Sequence, residues 1–451
     1  MEQQIVSCGR ALGLKPSAPE AHGLEVRLLA TTLLRMCLER RLPVEDAVSG
    51  SDKASSLPPR DRALLSTLLL TSFRHRGEVE AILAKLLDKP LPRKSGSARD
   101  ILVLGVTQLL FLDMPPHAVI DLAVRSAKAD RNALHFSGLV NAVLRKAALM
   151  GPEFRMSLDA VRLNTPDWLW NRWTRAYGED TTRSIALANA DRPGLDLSFK
   201  DDSASWLELL EGVCLPNGQL RLPVAHVPVP ELAGFAEGAW WVQDVASSIP
   251  ARLFGDLNGK RILDLCAAPG GKTLQLASLG AEVTAVDISE QRLRRLTQNL
   301  ARTGLAAEIR TLDMFDPGLE DCGWDGVLLD APCSATGTIR RHPELPYLKD
   351  ESQVLELAGQ QRRMLRRAAE LVKPGGMLVY CSCSLEPEEG ESQIRSFLRR
   401  DERFEIVPAA GSVGPEESLT AEGWIRTLPS MRFGSAQGMD GFFAAGLRRQ
   451  V

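Results

Sequence analysis

No run of about 18 uncharged apolar residues occurs in this 451-residue chain, so no membrane-spanning helix is expected. The opening residues, Met1-Glu2-Gln3-Gln4, lack the basic start and apolar stretch of an export signal, which argues against secretion. Cysteine is sparse. Eight residues scattered without regular spacing do not make a disulfide scaffold, and free thiols in a cytoplasmic protein are the simpler expectation. An excess of basic charge is missing too: the formal net charge is -3, so the chain as a whole does not advertise a polyanionic partner. What remains is an ordinary globular composition, 44% hydrophobic and 25% charged. That argues against large-scale disorder and, at this length, supports two or three domains with their own cores.

The charge is unevenly placed. Residues 1–150 hold 21 Lys and Arg against 15 Asp and Glu, and the remainder holds 33 against 42. A basic first third permits nucleic-acid binding by a local patch without demanding it.

Three textures follow one another. Apolar residues recur at helical spacing in Val26–Leu34 and Ala63–Leu70, and further helices are expected around Ile101–Phe111, Val119–Lys128 and Gly138–Leu149. Pro90, Pro92 and Lys94–Ser97 read as a loop, and Pro115-Pro116 as a stop. Residues 1–150 therefore read as an all-α bundle, with Arg35, Arg40, Arg41, Arg74, Arg76, Arg93 and Lys94 spread over it. Residues 151–245 read as a small α+β connector. It holds the strand-like Leu195–Phe199 and a cluster of Trp168, Trp170 and Trp173, for which core packing is the plain explanation and base stacking the alternative. From 246 to 451 strand, turn and helix alternate. Strands are expected at Arg261–Leu265, Val283–Asp287, Ala307–Leu312, Gly326–Asp330 and Met377–Cys381, with helices at Thr273–Leu279, Gln291–Arg302 and Ser352–Leu371. Lys373-Pro374-Gly375-Gly376 closes the last helix. This alternation predicts a doubly wound α/β domain with a parallel sheet and ligands at the carboxyl ends of its strands.

The first of those strands runs into a turn, Cys266-Ala267-Ala268-Pro269-Gly270-Gly271-Lys272-Thr273. Gly270 and Gly271 let a backbone approach a ligand closely, and a helix N-terminus follows. Asp287, ending the second strand about twenty residues on, stands where an acid addresses ribose hydroxyls, and Asp313 stands where one could meet an adenine edge. Gly271-Lys272-Thr273 matches half of a phosphate-binding loop, but Cys266 occupies its first glycine, which disfavours an NTPase. The missing G-x-G-x-x-G likewise disfavours a nicotinamide cofactor, leaving S-adenosyl-L-methionine favoured.

Two cysteine motifs lie downstream: Asp330-Ala331-Pro332-Cys333 and Tyr380-Cys381-Ser382-Cys383-Ser384. Both end strands of one expected sheet, so both thiols can face one pocket; the bland alternative is that small apolar cysteines fill buried strand ends. Cytosine C5 is a poor nucleophile, and addition of a thiolate to C6 makes C5 reactive toward a sulfonium methyl group. Such a site needs one attacking cysteine, a group for the N3/N4 edge and a path for the C5 proton. The attacking thiol, only a few per cent ionised when free, needs help that Lys272 or the sulfonium charge could give. A zinc site from Cys333, Cys381 and Cys383 is disfavoured by the C-x-C spacing.

Together these motifs resemble the bacterial 16S ribosomal RNA cytosine-C5 methyltransferases of the Sun, Fmu or RsmB type, within the wider group of RNA cytosine methyltransferases. Trp241–Asp244, Asp264–Thr273 and above all Asp330–Glu344 carry the resemblance. Leu102–Arg145, with Pro115-Pro116-His117 and Gly138–Asn141, resembles the RNA-binding domain similar to the NusB antitermination factor. The resemblance implies a NusB-like bundle, a connector and a Rossmann-like class I methyltransferase domain. It further implies Cys383 as nucleophile, Cys333 assisting release, and Asp330 meeting both cofactor and base. Cys266, Ala267, Ala268, Pro269, Gly270, Gly271, Lys272, Asp287, Asp313 and Asp330 match its S-adenosyl-L-methionine positions. The implied partner is 16S ribosomal RNA, with cytosine 967 as the family's target, and no membrane or metal is implied. One departure stands out: Ser382 occupies the place of the family's frequent Thr, with an extra Cys381 before it. In a DNA cytosine methyltransferase the Pro-Cys cysteine attacks, here Cys333, and the roles would reverse.

Candidates for phosphate contacts are Arg340, Arg341, Arg362, Arg363, Arg366 and Arg367, with the first two expected to matter most. Methylation of another RNA, such as tRNA, and a non-catalytic RNA-binding assembly factor stay open as alternatives. The oligomeric state is not legible, and a monomer is compatible with the sequence.

Overall fold

From Pro19 to Met156 the regular elements are helices alone: α1 (Pro19–Arg40), α2 (Val44–Ser49), α3 (Asp52–Ser55), α4 (Pro59–Arg74), α5 (Arg76–Leu86), α6 (Ala98–Phe111), α7 (Pro116–Ala129) and α8 (Ser137–Met156). The computed structural model describes residues 19–92, 94–223, 227–319, 323–411 and 413–451; Arg93 and the opening Met1–Gln4 lie outside them. α6 is buried on nearly every side, through Ile101, Leu102, Val103, Leu104 and Val106, because its sequence is apolar all round. α7 starts on Pro116, whose missing N–H costs nothing in a first turn. The chain divides into two compact units, residues up to Ser72 with Val79–Ser157, and Phe73–Glu78 with Leu158–Val451. No helix among the described residues is long and apolar enough to cross a membrane.

The second unit continues with α9 (Ala160–Leu163), α10 (Asp167–Tyr177) and α11 (Glu179–Ala190), then a four-stranded antiparallel sheet. Its strands are β1 (Leu195–Phe199), β2 (Val213–Cys214), β3 (Leu220–Leu222) and β4 (Trp240–Val242), in the order β2-β3-β1-β4. Trp173 is buried and its Nε1 donates to Glu386 Oε1 at 3.0 Å, while Trp168 Nε1 donates to the Pro346 carbonyl at 3.0 Å. Both therefore serve packing rather than base stacking. Trp170, half-buried, lies under the Arg162 guanidinium.

The main sheet follows α12 (Ile249–Arg252). Its elements are β5 (Arg261–Leu265), α13 (Gly271–Ser278), β6 (Glu282–Asp287), α14 (Glu290–Thr303), β7 (Glu308–Thr311), β8 (Trp324–Asp330), α15 (Leu345–Leu348), α16 (Glu351–Leu371) and β9 (Val372–Ser382). After α17 (Glu391–Leu398) come β10 (Phe404–Val407), β11 (Ile425–Thr427), β12 (Arg432–Phe433), β13 (Ala436–Gln437) and β14 (Phe442–Arg449). The strand order is β10-β14-β9-β8-β5-β6-β7. β7 through β9 run parallel as predicted, but β14 lies antiparallel against β9, with β10 and β11 antiparallel on β14. The sheet is thus mixed, not purely parallel. The reason is the apolar run Phe442-Phe443-Ala444-Ala445: fully buried, it completes the core as a returning strand with no crossover helix before it.

A second difference concerns Lys373–Gly376. They are not a separate loop: β9 begins at Val372, paired with Trp324, and regains the ladder at Met377, paired with Gly326. The turn chemistry survives as a bulge within the strand, with Gly375 at φ +78. Helix ends follow their sequence signals. Asp350 and Gln353 form a reciprocal capping box on α16, and α14 runs from the Ser289 cap to a left-handed Gly304. Leu293, Leu296 and Leu300 turn the buried face of α14 onto the sheet.

Candidate active site

The chain winds from β5 through β6 to β7, then crosses back to β8 on the other side of β5, so a switch point lies at the carboxyl ends of β5 and β8. The turn Cys266–Thr273 occupies it. Cys266 holds φ +60, and the Ala267 and Ala268 N–H groups donate to the Val286 carbonyl and to Asp287 Oδ2. Gly270 sits at φ +109, where a Cβ would lie 2.3 Å from Leu296 Cδ1; only glycine lets the turn close on α14. Pro269 is exposed and Gly271 opens α13. Asp264 is fully buried, its Oδ2 accepting from Thr273 Oγ1 at 2.6 Å and its Oδ1 without a partner. Burial pushes its carboxyl up to about 7, and the Cys266 thiol beside it up to about 12.

Asp287, buried at the end of β6, accepts from Ser289 N–H at 2.9 Å and from Arg292 at 2.8 Å. Asp313 is exposed beyond β7 and accepts from Phe315 N–H at 3.0 Å. Ile288 and Phe315, following these two acids, are large apolar side chains exposed at 68% and 47%.

Asp330 ends β8 directly beside Cys381 on β9. Its Oδ2 holds Lys272 Nζ at 2.7 Å and its Oδ1 accepts from Cys381 Sγ at 3.4 Å. Lys272 also lies over the Phe442 ring, 5.2 Å from its centre. The other two thiols meet: Cys333 Sγ and Cys383 Sγ are 3.4 Å apart, both half-buried, whereas Cys381 is buried. The hydrogen bond to Cys383 and burial hold the Cys333 thiol far above its ordinary range. Cys381 is held there by burial and by Asp330. No group of three or more His, Cys, Asp or Glu side chains arranged to hold a metal stands together among the described residues.

Several supports went unrecognised in the sequence. Gly337 N–H donates to the Cys383 carbonyl at 3.0 Å, and a Cβ on Gly337 would lie 1.8 Å from the Gly441 carbonyl. Arg172 on α10 spreads its guanidinium over Glu386 (2.6 Å), Glu351 and Glu388 (2.8 Å each), while Arg426 grips Glu391 and the Ser384 carbonyl. Glu389 binds the residues after both site cysteines, Ser334 and Ser384. The only visible sign was the acidic run Glu386-Pro387-Glu388-Glu389 beside Cys383.

The expected phosphate contacts need correction. Arg340 is buried, its Nε unpartnered and its guanidinium close against Gly438; the hydroxyl- and apolar-rich motif around it folds inward and takes it along. Arg341 is paired with Asp440, and Arg367 donates to the Met314 and Leu319 carbonyls. Arg74 likewise spends its donors on the carbonyls of Asn189, Asp191 and Arg340. Arg362, Arg363 and Arg366 remain exposed along α16.

A glycine turn at the switch point of a Rossmann-like sheet, with acids at successive strand ends, defines an S-adenosyl-L-methionine-dependent methyltransferase, here with an N-terminal helical unit. The chain belongs to the 16S rRNA methyltransferase RsmB/F family, whose model matches residues 253–448, and the NusB family matches residues 24–149. A Klebsiella pneumoniae protein named ribosomal RNA small subunit methyltransferase B is 35% identical over 454 residues, covering 94% of this chain and 98% of the relative. The Escherichia coli O1:K1 protein of the same name is 36% identical over 424 residues, covering 88% and 94%. Among solved structures, that of PH0851 matches with TM-score 0.75 and 26% identity, covering 96% of this chain and 99% of its own.

The donor set fits the cofactor. An orphaned buried carboxylate oxygen on Asp264 suits an ammonium group, Asp287 suits ribose hydroxyls, and the exposed faces of Ile288 and Phe315 suit a purine. Gly270 and Gly271 leave the backbone open to close approach.

Proposed function

We propose that the chain methylates C5 of a cytosine in 16S ribosomal RNA, with cytosine 967 as the expected target, through a covalent adduct on Cys383. The observation that carries this reading is the 3.4 Å approach of Cys383 to Cys333, with Asp330, three residues before Cys333, holding Lys272 of the cofactor turn. The curated relatives' name and the family description point to the same RNA.

Bound S-adenosyl-L-methionine supplies an electrophilic methyl group. Lys272 and Arg341 stabilise negative charge on the Cys383 sulfur, which adds to C6 and pushes the ring electrons toward N3 and C5. Asp330, anchored by Lys272, holds the N3/N4 edge of the base. After C5 has taken the methyl group, a water molecule takes its proton, the C–H electron pair becomes the C5–C6 double bond, and the C6–S bond breaks with its electrons going to the sulfur. Cys333 gives its proton to that departing sulfur and regains one from solvent. The base has to leave its stack to reach this site, at a cost of a few kcal/mol in a duplex. The helical unit and the exposed α16 arginines supply RNA contacts, and the expected compartment is the cytoplasm.

Cys383→Ala should lower methyl transfer to 16S RNA by more than about a thousandfold while cofactor affinity stays within about twofold. Retained transfer would remove Cys383 from the nucleophile's role.

A further inference from the structure

Glu389 takes no part in the chemistry above, yet it is fully buried and surrounded by donors. Its Oε1 accepts from Ser334 N–H at 2.9 Å and Gln361 Nε2 at 3.0 Å, and its Oε2 accepts from the Ser334 and Ser384 hydroxyls. Its own carbonyl accepts from the Tyr380 hydroxyl at 2.8 Å and Ser382 Oγ at 3.0 Å. Ser334 follows Cys333 and Ser384 follows Cys383. One side chain thus ties together the two loops that bring the thiols, which come from β8 and β9.

A buried carboxylate is a costly link, since it must leave water and be matched by donors. The Ser334 and Ser384 hydroxyls lie 3.1 Å apart, but with both protons given to Glu389 neither donates to the other. A carboxylate adds reach: two oxygens on one rigid plane fix both loops at once and orient the serine hydroxyls. Burial pushes its carboxyl up and the hydroxyl and amide donors pull it back. Its charge also adds to the influences that keep Cys333 protonated.

We propose that Glu389 is a positioning residue for the reaction: by gripping Ser334 and Ser384 it sets the separation of Cys333 and Cys383. The inference rests on the proposed role of these thiols, but the geometry can be tested apart from it. Diamide takes two electrons and two protons from a pair of adjacent thiols, forming an S–S bond between them and becoming the hydrazine. Native protein should lose Cys333 and Cys383 together. E389A and E389D, the latter a methylene too short to span both loops, should crosslink about a hundredfold more slowly with cofactor affinity within about threefold. The near-isosteric E389Q, which keeps an accepting oxygen, should restore the rate to within about threefold of native, whereas E389M, of similar length but without hydrogen-bonding groups, should not. On 16S RNA, Cys333→Ala, lacking the proton that frees Cys383, should accumulate a denaturation-resistant adduct, and E389A or E389D should do the same.

Native-rate crosslinking in whichever of E389A and E389D keeps cofactor affinity overturns the proposal, as does failure of E389Q to recover. Absence of the adduct in Cys333→Ala itself would count against the release step, leaving the crosslinking rates to judge Glu389.

Discussion

Single residues here act mostly through their surroundings. Asp264 is the clearest case, because its carboxyl carries a folded-state value near 7 against the usual 3.8. Below 3.8 both the folded and unfolded chains hold that proton. Between 3.8 and 7 only the folded chain does, so stability falls as pH rises across that window and levels off above it. Asp264→Asn keeps an acceptor for Thr273 and removes the titration. The variant should therefore gain about 2–3 kcal/mol on the native chain between about pH 5 and pH 8, read by denaturant unfolding without cofactor; a pH-independent gap would contradict it. Asp287, Asp330, Cys333 and Cys383 were legible because each sits in a motif whose spacing places it at a strand end; Asp264, inside β5, was not singled out. Nor were Glu389 and Arg172. An acid in a run of acids, or an arginine among tryptophans, reads as solvated surface until the chain shows what lies opposite.

At the scale of elements, the segment after β9 is held from outside the sheet. α10 contributes Arg172 to Glu386, and Trp173 donates to the same carboxylate. With both charged side chains nearly buried, truncating the cation leaves an uncompensated carboxylate. Arg172→Ala should destabilise the second unit by about 3–5 kcal/mol, and E386Q in the same chain should recover part of that loss; a change below about 1 kcal/mol would mean the pair contributes little. The parallel core β5–β9 was legible from the alternation of apolar runs with amphipathic helices such as α14. β14 escaped because a short buried run with no helix before it looks the same whether it returns parallel, antiparallel or not at all. Lys373–Gly376 does follow the end of α16, as its proline and glycines predict, but the same residues also suit a strand that breaks its ladder, so the bulge within β9 was not legible.

For the molecule as a whole, a chain of net charge -3 must engage RNA through local patches. Burial and carbonyl contacts remove Arg340 and Arg367 from that role; Arg341, though paired with Asp440, stays exposed, as do Arg362, Arg363 and Arg366 on α16. Replacing the three on α16 with Gln should weaken RNA binding and lower the steepness of its salt dependence by about 2–3, at about 0.7–0.9 per lost phosphate contact. An unchanged slope would place the RNA elsewhere. The proposed reaction turns on one sulfur, that of Cys383, bonding to the target ring. The most direct measurement uses 16S RNA carrying 5-fluorocytidine, whose C5 holds fluorine where a proton must leave, so that the adduct cannot resolve. Digestion and mass spectrometry of the trapped complex should find the nucleotide on the peptide containing Cys383. A nucleotide on the Cys333 peptide, or no covalent complex at all, would contradict the account.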